Sequence, residues 1–203
     1  MSVLDAQTPD GLLIAAVLAG EGEAFALLVQ RYQAALLRAA VSRLGRRQWA
    51  EEAVQETFLC AHKWLESYDS RFSFRTWLWT ILLNQCSRLA KREQRQPAAV
   101  AEAEFDVQCP AASPLEQLLA RESSERLHAL LSRLPEAQAD ALRLRFFGEL
   151  TFPEIAAAMR ISEPGAKHRV KTGLLKLSEW LDAPVVSSSS RAGETPAPRG
   201  VGS

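Results

Sequence analysis

The sequence predicts an all-α protein built from two small helical domains. Apolar residues recur at the three-and-four spacing of helices over most of the 203 residues, whereas the alternating pattern of strands is nearly absent. A hydrophobic content of 47% is sufficient for two compact cores. Residues 97–114 interrupt the periodicity with three prolines, small residues and scattered acids, which predicts a flexible acidic linker.

This interruption and the composition of the C-terminus set the expected boundaries. We expect a first domain over residues 1–95, the acidic linker over 96–120, a second domain over 121–183 and a disordered tail over 184–203. The tail contains a run of four serines, with prolines and glycines, and has too little apolar surface to offset the entropy of ordering it.

Four helices are predicted in the first domain. Asp10 is placed to cap a helix over residues 11–18, which Gly20 and Gly22 end. The second helix ends near Gly45 and carries one apolar stripe. That stripe consists of Phe25, Leu28, Val29, Tyr32, Leu36, Ala39 and Ala40.

The third helix, residues 50–65, has two faces of different chemistry. An ordinary core face is formed by Ala50, Ala53, Val54, Thr57, Ala61, Trp64 and Leu65. A second line at the same spacing consists of Glu52, Gln55, Glu56 and Leu59. Because this line mixes acids, an amide and a leucine, it predicts a surface that docks on a partner protein.

The fourth helix begins near Ser73, behind the loop of residues 69–72, and ends in a basic run. Aromatic residues near the loop and the cations Arg88, Lys91, Arg92 and Arg95 are what unstacked bases and a phosphate backbone require. One helix face, formed by Phe74, Trp77, Leu78, Ile81 and Leu82, favours a core role instead. Trp79 lies off that stripe, and Phe72 lies in the loop.

The second domain contains a predicted helix-turn-helix. Leucines at 127, 130, 131 and 134 follow helical spacing, and Pro135 starts a further helix that Gly148 ends. Thr151 and Glu154 have the spacing of a capping box. Ser162 can cap the last helix, which extends to about residue 181.

Such a motif places its second helix in the major groove, with the N-terminal residues of that helix at the base edges. The candidate readers are Lys167, His168, Arg169 and Lys171. The alternative is a plain helical hairpin on which these cations form a solvated face.

Charge is unevenly distributed along this electrically neutral chain. Residues 1–30 and 96–120 each contain four acids and no lysine or arginine, whereas cations cluster at 88–95 and 160–176. Two cationic patches on a neutral protein are typical of a nucleic-acid binder that acts with a partner.

The remaining composition predicts no metal site, disulfide or membrane insertion. Cys60, Cys86 and Cys109 are far apart, odd in number and without histidines at ligand spacing. The chain has no secretory leader pattern and no apolar run of about 20 residues. We therefore expect a cytoplasmic protein.

The motifs resemble regions 2 and 4 of the extracytoplasmic-function (ECF) subfamily of bacterial sigma-70-type sigma factors. The region 2 likeness rests on Glu52, Val54, Gln55, Glu56, Thr57 and Phe58, followed by Ser73, Phe74, Arg75, Thr76, Trp77, Leu78 and Asn84. The region 4 likeness rests on Leu134, Pro135, Leu144, Arg145, Phe147, Gly148, Glu154, Ile155, Ala156, Lys167 and Arg169. Gly165, His168 and Leu174 depart from the usual pattern, so the promoter element cannot be copied from a typical member.

The resemblance implies a factor that binds core RNA polymerase, recognises promoter DNA and melts it. Core-polymerase binding to the beta-prime clamp is then expected from Glu52, Gln55, Glu56 and Leu59. Minus-ten DNA binding is expected from Ser70, Arg71, Phe72, Ser73, Asn84, Arg88, Lys91 and Arg92. The readers of the upstream element are expected to be Lys167, His168, Arg169 and Lys171.

The resemblance also implies further partners, namely the beta flap and an anti-sigma protein, and it implies that the acidic linker threads the polymerase channel. It implies no cofactor, metal or catalytic residue. Two other functions remain as alternatives. A stand-alone helix-turn-helix regulator would bind duplex DNA without polymerase. An enzyme is disfavoured because His62, His128 and His168 lie on separate predicted helices without a nucleophile or metal-ligand spacing.

Overall fold

The computed structural model describes residues 4–95 and 125–182, and in these two ranges the regular secondary structure is entirely helical. The all-α prediction is confirmed. The N-terminal group consists of α1 (Asp10–Leu18), α2 (Glu23–Leu44), α3 (Arg47–Lys63), a short 3-10 turn (Leu65–Ser67) and α4 (Phe74–Arg95). The C-terminal group consists of α5 (125–132), α6 (Glu136–Phe146), α7 (Phe152–Met159) and α8 (Glu163–Asp182).

The N-terminal group packs α2, α3 and α4 around a common core. Leu28, Leu36, Ala53, Leu78 and Leu82 are fully or almost fully buried there. Gly45 ends α2 with a backbone φ of 70°, a left-handed conformation that favours glycine.

Asp10 has a different role in the first helix from the one that the sequence predicts. Asp10 is the first residue of α1 rather than its cap, and its side chain makes no capping hydrogen bond. Its carboxylate instead accepts hydrogen bonds from Arg31 and Tyr32 of α2. The expected cap is therefore wrong, because the carboxylate finds stronger partners on the neighbouring helix than its own backbone would offer.

The C-terminal group contains the helix-turn-helix as α7 and α8. Thr151 and Glu154 form the predicted capping box, with a hydrogen bond of 2.8 Å from the Thr151 amide to the Glu154 carboxylate. Ser162 caps α8 by accepting the Gly165 amide at 3.3 Å. At Gly173 a Cβ would lie 2.9 Å from Leu142, so α8 approaches α6 more closely than a side chain would allow.

The two groups of helices contact one another directly. Helix α7 packs on α4, and Arg43 of α2 pairs with Asp140 of α6. Trp79, which lies off the core stripe of α4, is 1% exposed because it packs at the Gly148 turn of the C-terminal group. This contact explains an aromatic residue that the N-terminal core alone does not use.

Several predictions lie outside the described residues. These are the linker 96–120, the tail 184–203 and Cys109. Cys60 and Cys86 are free thiols, and burial raises the pKa of the Cys86 thiol to about 12. In the described ranges, no helix combines the length and apolar character needed to cross a bilayer.

Candidate protein-docking and nucleic-acid surfaces

An apolar groove of about 630 Å³ runs between α2 and α3. Its floor and walls are formed by Phe25, Val29, Leu37, Val54, Phe58 and Leu59. Polar groups surround it, including an ion pair of 2.8 Å between Arg47 and Glu51. An apolar centre with a polar rim is the usual anatomy of a protein-docking site.

The predicted docking line on α3 is divided by this groove. Gln55 and Leu59 line the groove, and Leu59 is 56% exposed. Glu52 and Glu56 instead lie on the α4 side of the helix, where they pair with Arg92 and Arg88. The Glu52 pair is bidentate, at 2.8 and 2.9 Å, whereas the Glu56 pair is looser at 3.4 Å.

The α2 wall of the groove was missed by the sequence analysis. Val29, Gln33 and Leu37 recur at a spacing of four residues and therefore share one side of α2. This signal was present, but Val29 had been assigned to the core stripe. Only the pairing of α2 with α3 shows that the line borders a groove.

The loop before α4 is a turn held by hydrogen bonds, and it exposes the ring of Phe72. The Phe72 amide donates to the Asp69 main-chain oxygen at 3.1 Å, and the Tyr68 hydroxyl donates to the Phe72 main-chain oxygen at 2.6 Å. Both bonds hold the backbone of Phe72, whose side chain is 51% exposed. A ring presented in this way can stack on an unpaired base without a prior rearrangement of the loop.

Arg71 and Ser70 are exposed on the same loop. The Arg71 guanidinium donates to both carboxylate oxygens of Asp69, at 2.7 and 3.0 Å from Nε. Hydrogen bonds from the Arg71 side chain and amide hold the pKa of the Asp69 carboxyl below its usual value. Asp69 therefore stays ionised and orients Arg71 beside Phe72.

Ser73 and Asn84 face the C-terminal group. The Ser73 hydroxyl caps α4 by accepting the Thr76 amide at 3.2 Å, and it donates to Glu154 of α7 at 2.8 Å. Asn84 lines a cleft of about 470 Å³ together with Ala158, Met159 and Arg160. All eight predicted minus-ten residues are nevertheless exposed, and α7 borders two of them, Ser73 and Asn84.

The basic end of α4 remains exposed. Arg88, Lys91 and Arg92 lie on the surface, although Arg88 and Arg92 carry the ion pairs with α3 described above. Most of the predicted core stripe is packed: Phe74, Leu78 and Leu82 are buried, and Tyr68, Phe74 and Trp77 are in mutual ring contact.

The four predicted readers on α8 divide into two environments. Lys167, His168 and Lys171 are exposed, and Lys167 pairs with Glu163 at 2.7 Å. Arg169 is half-buried. It lies about 100° from His168 around the helix, towards the buried residues Ala166, Val170 and Gly173. Three of the four predicted readers therefore share the outer face, and Arg169 borders it.

No group of three or more histidine, cysteine, aspartate or glutamate side chains suited to a metal ion occurs among the described residues. The surfaces carry cations, an outward ring and an apolar groove. Features of this kind bind macromolecules.

Comparison with known proteins gives two family matches that coincide with the two helical groups. The family described as Sigma-70 region 2 matches residues 28–96, and the family described as Sigma-70, region 4 matches residues 124–177. Together these matches define a sigma-70-type factor with both of its DNA-related regions.

Individual relatives identify the subfamily. RNA polymerase sigma-H factor of Pseudomonas aeruginosa is 30% identical over 81% of this chain and 89% of its own length. The ECF RNA polymerase sigma-E factor of Escherichia coli is 31% identical over 75% of this chain and 84% of its own length. The sigma factor CnrH of Cupriavidus metallidurans is 29% identical over 89% of this chain and 98% of its own.

Solved structures agree with the sequence matches. CnrH in complex with the cytosolic domain of CnrY has a TM-score of 0.69 and 27% identity, covering 89% of this chain and 99% of that one. RpoE of Bartonella quintana, in complex with the anti-sigma factor NepR, has the same fold, with a TM-score of 0.61, 23% identity and coverage of 79% and 98%.

The chain belongs to the extracytoplasmic-function subfamily of RNA polymerase sigma factors. It is a sigma factor that directs transcription initiation, and its family is one of transcription factors. The predicted family and function are confirmed.

Proposed function

We propose that the groove between α2 and α3 is where this sigma factor docks on the beta-prime clamp of core RNA polymerase. Leu59 and Gln55 supply the contact in the groove. Glu52 and Glu56 supply a second, charged contact on the α4 side of α3, where they exchange Arg92 and Arg88 for cations of the clamp. An apolar centre gives affinity, and a charged border gives orientation.

The minus-ten element is captured by the loop before α4 and by the basic end of that helix. Phe72 stacks on a base extruded from the melted strand, while Ser70, Arg71 and Ser73 offer hydrogen-bonding groups around it. Asn84, Arg88, Lys91 and Arg92 then follow the strand along α4. Each stacked base contributes ~1 to 3 kcal/mol, which offsets the cost of unstacking it.

The upstream promoter element is read by α8. Lys167, His168 and Lys171 face outward at the N-terminal half of this helix, and Arg169 borders them. In a helix-turn-helix this is the part that enters the major groove. The C-terminal group also contacts the beta flap of polymerase.

Both solved relatives are complexes, CnrH with the cytosolic domain of CnrY and RpoE with an anti-sigma factor. By analogy, an anti-sigma protein holds this factor inactive. The expected place of action is the cytoplasm, where the polymerase and the promoter are found.

The observation that carries the assignment of the minus-ten surface is the outward Phe72 ring on a hydrogen-bonded turn, next to a basic helix end. The test is in vitro transcription with purified core polymerase on a promoter library. Specific transcripts that require this chain identify both promoter elements. If no template is transcribed, while a known sigma factor is active with the same core enzyme, the proposal is wrong.

A further inference from the structure

The turn between α7 and α8 holds an arginine in the left-handed region of backbone space. Arg160 follows the last residue of α7 and has a φ of 53° and a ψ of 49°. Two hydrogen bonds accompany this conformation. The Ile161 amide donates to the Ala156 main-chain oxygen at 2.9 Å, and the Arg160 amide donates to the Ala157 main-chain oxygen at 3.2 Å. This is the usual left-handed end of a helix, in which glycine or asparagine takes the position that Arg160 has here.

Arginine is an unfavourable residue for this conformation. In left-handed backbone the Cβ atom of an ordinary residue comes too close to a carbonyl oxygen, which glycine avoids and which asparagine tolerates better than most residues. The turn into α8 would therefore form more readily with either of those two residues. Strained backbone of this kind concentrates at functional sites, where the side chain has a role that the fold itself does not need. The long charged side chain of Arg160 is the feature that such a role would use.

No contact within the described part of the chain accounts for the Arg160 charge. The side chain is exposed, and no ion pair or hydrogen bond joins it to another described residue. Glu163 is the nearest acid in the sequence, but its carboxylate pairs with Lys167 at 2.7 Å. Arg160 also borders the cleft at Asn84, and none of the described residues that line this cleft is an acid. The guanidinium is therefore an uncompensated positive charge in the turn that leads into α8.

The position of the turn suits contact with a DNA backbone. Helix α8 begins at Glu163, and Lys167 and Lys171 lie about 6 and about 12 Å further along its axis, at ~1.5 Å per residue. A helix-turn-helix places the N-terminal residues of its second helix at the base edges of the major groove. The turn that precedes this helix then lies at the rim of the groove, where the phosphates are. A guanidinium matches a phosphate well, because its planar fork can donate two parallel hydrogen bonds.

We propose that Arg160 binds a backbone phosphate of the upstream promoter element and so fixes the position of α8 in the major groove. This inference rests on the proposed role of α8 as the reader of that element. Phosphate contacts orient a protein on the duplex and carry no sequence information. Arg160 therefore adds affinity at every promoter, whereas Lys167, His168 and Lys171 select among promoters. The strained turn is retained because glycine or asparagine would fit the backbone but could not reach the phosphate with a positive charge.

Four variants of the full-length protein separate the charge from the backbone strain. Arg160→Asn removes the charge and relieves the strain, whereas Arg160→Lys keeps the charge on the same strained backbone. Glu149→Asn is the control for strain, because exposed Glu149 has the same φ of 53° in the turn before α7. Arg126→Asn is the control for charge, because it removes an exposed arginine from α5, outside the helix-turn-helix.

Each protein is assembled with core polymerase, and its affinity is measured for duplex DNA that the wild-type holoenzyme selects from a random pool. Arg160→Asn should bind about ten-fold more weakly, the change that one charge-assisted hydrogen bond supplies. Its slope of log affinity against log salt should become shallower by about 0.9, the value for one phosphate contact with duplex DNA. Arg160→Lys should keep the wild-type slope and lose less affinity. Both controls should match wild type.

Two further readouts distinguish a phosphate contact from other roles of Arg160. On a promoter library, Arg160→Asn should lower binding to all sequences by the same factor and leave the base preferences unchanged. Thermal unfolding of the free protein should give Arg160→Asn a midpoint at or above that of wild type, because the substitution relieves the left-handed strain and removes no described contact. Glu149→Asn should show the same rise in the midpoint without the loss of affinity.

The outcomes separate this contact from the role of α8 as a whole. Wild-type affinity and salt slope in Arg160→Asn, together with weaker binding in Lys167→Ala, would leave α8 as the reader and show that Arg160 is only a solvated charge. If Arg160→Asn, Lys167→Ala and Lys171→Ala all bind as wild type does, the assignment of α8 fails and the contact falls with it. A lower unfolding midpoint in Arg160→Asn would make Arg160 a packing residue. A loss confined to one base position would make it a base reader, and either result overturns the phosphate contact.

Discussion

Arg92 and Glu52 form a bidentate ion pair, with Nη1 to Oε1 at 2.8 Å and Nη2 to Oε2 at 2.9 Å, which joins α4 to α3. Arg92 belongs to the surface proposed for DNA, and Glu52 belongs to the surface proposed for polymerase. Both side chains are partly exposed, so water screens the pair and its contribution to stability is small. Its main consequence is that each side chain neutralises the other before either partner binds.

Removal of the Glu52 charge should therefore strengthen strand binding and weaken polymerase binding. In Glu52→Gln, Arg92 is free to contact a phosphate, and the slope of log affinity against log salt should steepen by about 0.7 for one additional contact with single-stranded DNA. Salt titrations of strand binding check this. Glu51→Gln is the matched control for strand binding, because Glu51 pairs with Arg47 at the groove rather than with α4. An unchanged slope in Glu52→Gln would show that Arg92 does not contact the strand.

Polymerase docking should depend on Leu59 without any loss of folding. Leu59→Ala removes an exposed side chain at the groove, so its thermal unfolding should match wild type while affinity for core polymerase falls by ~1 to 2 kcal/mol. Exposed Leu12 of α1 offers the control, since Leu12→Ala removes the same kind of side chain outside the surfaces proposed to bind polymerase. Equal core-polymerase affinity of Leu59→Ala and wild type would contradict docking at this groove.

Glu56→Lys tests the charged border of the same site. The substitution reverses a charge beside Arg88, which lies 3.4 Å away, and it leaves the apolar groove residues in place. Holoenzyme formation should weaken, and it should stay weak in the double variant Glu56→Lys with Arg88→Glu, because that variant restores the ion pair with α4 but not the negative charge at position 56. Competition for core polymerase measures both. Full affinity in Glu56→Lys would remove Glu56 from the interface.

The parts of this structure that depend on neighbours in sequence were predictable. The Thr151 and Glu154 capping box and the Ser162 cap follow from spacing alone. So does the core face of α3 except at Trp64, which was predicted to be buried but is 55% exposed, because the helix ends at Lys63. The side-chain hydrogen bonds and contacts that depend on which helices pack together could not be predicted from the sequence. Asp10 binds α2 rather than its own helix, and Trp79 is buried by a glycine far along the chain. For the same reason the sequence could not show that the predicted docking line of α3 lies on two surfaces. Gln55 and Leu59 line the groove, whereas Glu52 and Glu56 face α4.

The loop before α4 should act in open-complex formation rather than in polymerase binding. Phe72→Ala removes an exposed ring, and Arg71→Ala removes its oriented neighbour, so both should reduce transcription from duplex promoters. A template already melted across the minus-ten element should restore part of the activity, because it supplies the unstacking energy but not the lost contacts. Tyr68→Phe should have a weaker effect in the same direction, since it removes only the hydrogen bond to Phe72. Wild-type activity of Phe72→Ala and Arg71→Ala on duplex promoters would place strand capture elsewhere.

Alanine substitutions along α8 should distinguish base contacts from phosphate contacts. Loss of a base contact by Lys167, His168 or Lys171 should cost ~1 to 3 kcal/mol and relax preference at one position. Loss of a phosphate contact should weaken binding to all sequences alike. Arg169→Ala should have a larger effect on thermal stability than the other three, because Arg169 is half-buried. A promoter library assayed with each variant provides the comparison, and Lys176→Ala on the same helix serves as the control. No change in promoter preference for any of the four variants would exclude α8 as the reader.

Glu154 links the capping box of α7 to the Ser73 hydroxyl, and this link should make stability depend on pH. Burial raises the pKa of the Glu154 carboxyl, but hydrogen bonds from Thr151 and Ser73 and the charge of Arg75 outweigh it and lower the pKa to about 2 from an ordinary value of 4.5. A carboxyl whose pKa is lower in the folded state stabilises the protein above its unfolded pKa. That contribution is lost as pH falls from about 4.5 towards about 2.

Glu154→Gln isolates the contribution of this carboxylate, because glutamine can still close the capping box but cannot ionise. Near neutral pH the variant should be less stable than wild type by ~1 to 3 kcal/mol, the range for hydrogen bonds to a charged group. The difference should shrink as pH falls below about 4.5, since protonated wild type then resembles the variant. Ser73→Ala removes the donor at 2.8 Å from α4, so in that background the difference should be smaller and should vanish at a higher pH. Chemical denaturation across this pH range provides the measurement. A difference that persists unchanged at the lowest pH would mean that the Glu154 charge does not hold α7 to its cap or to α4.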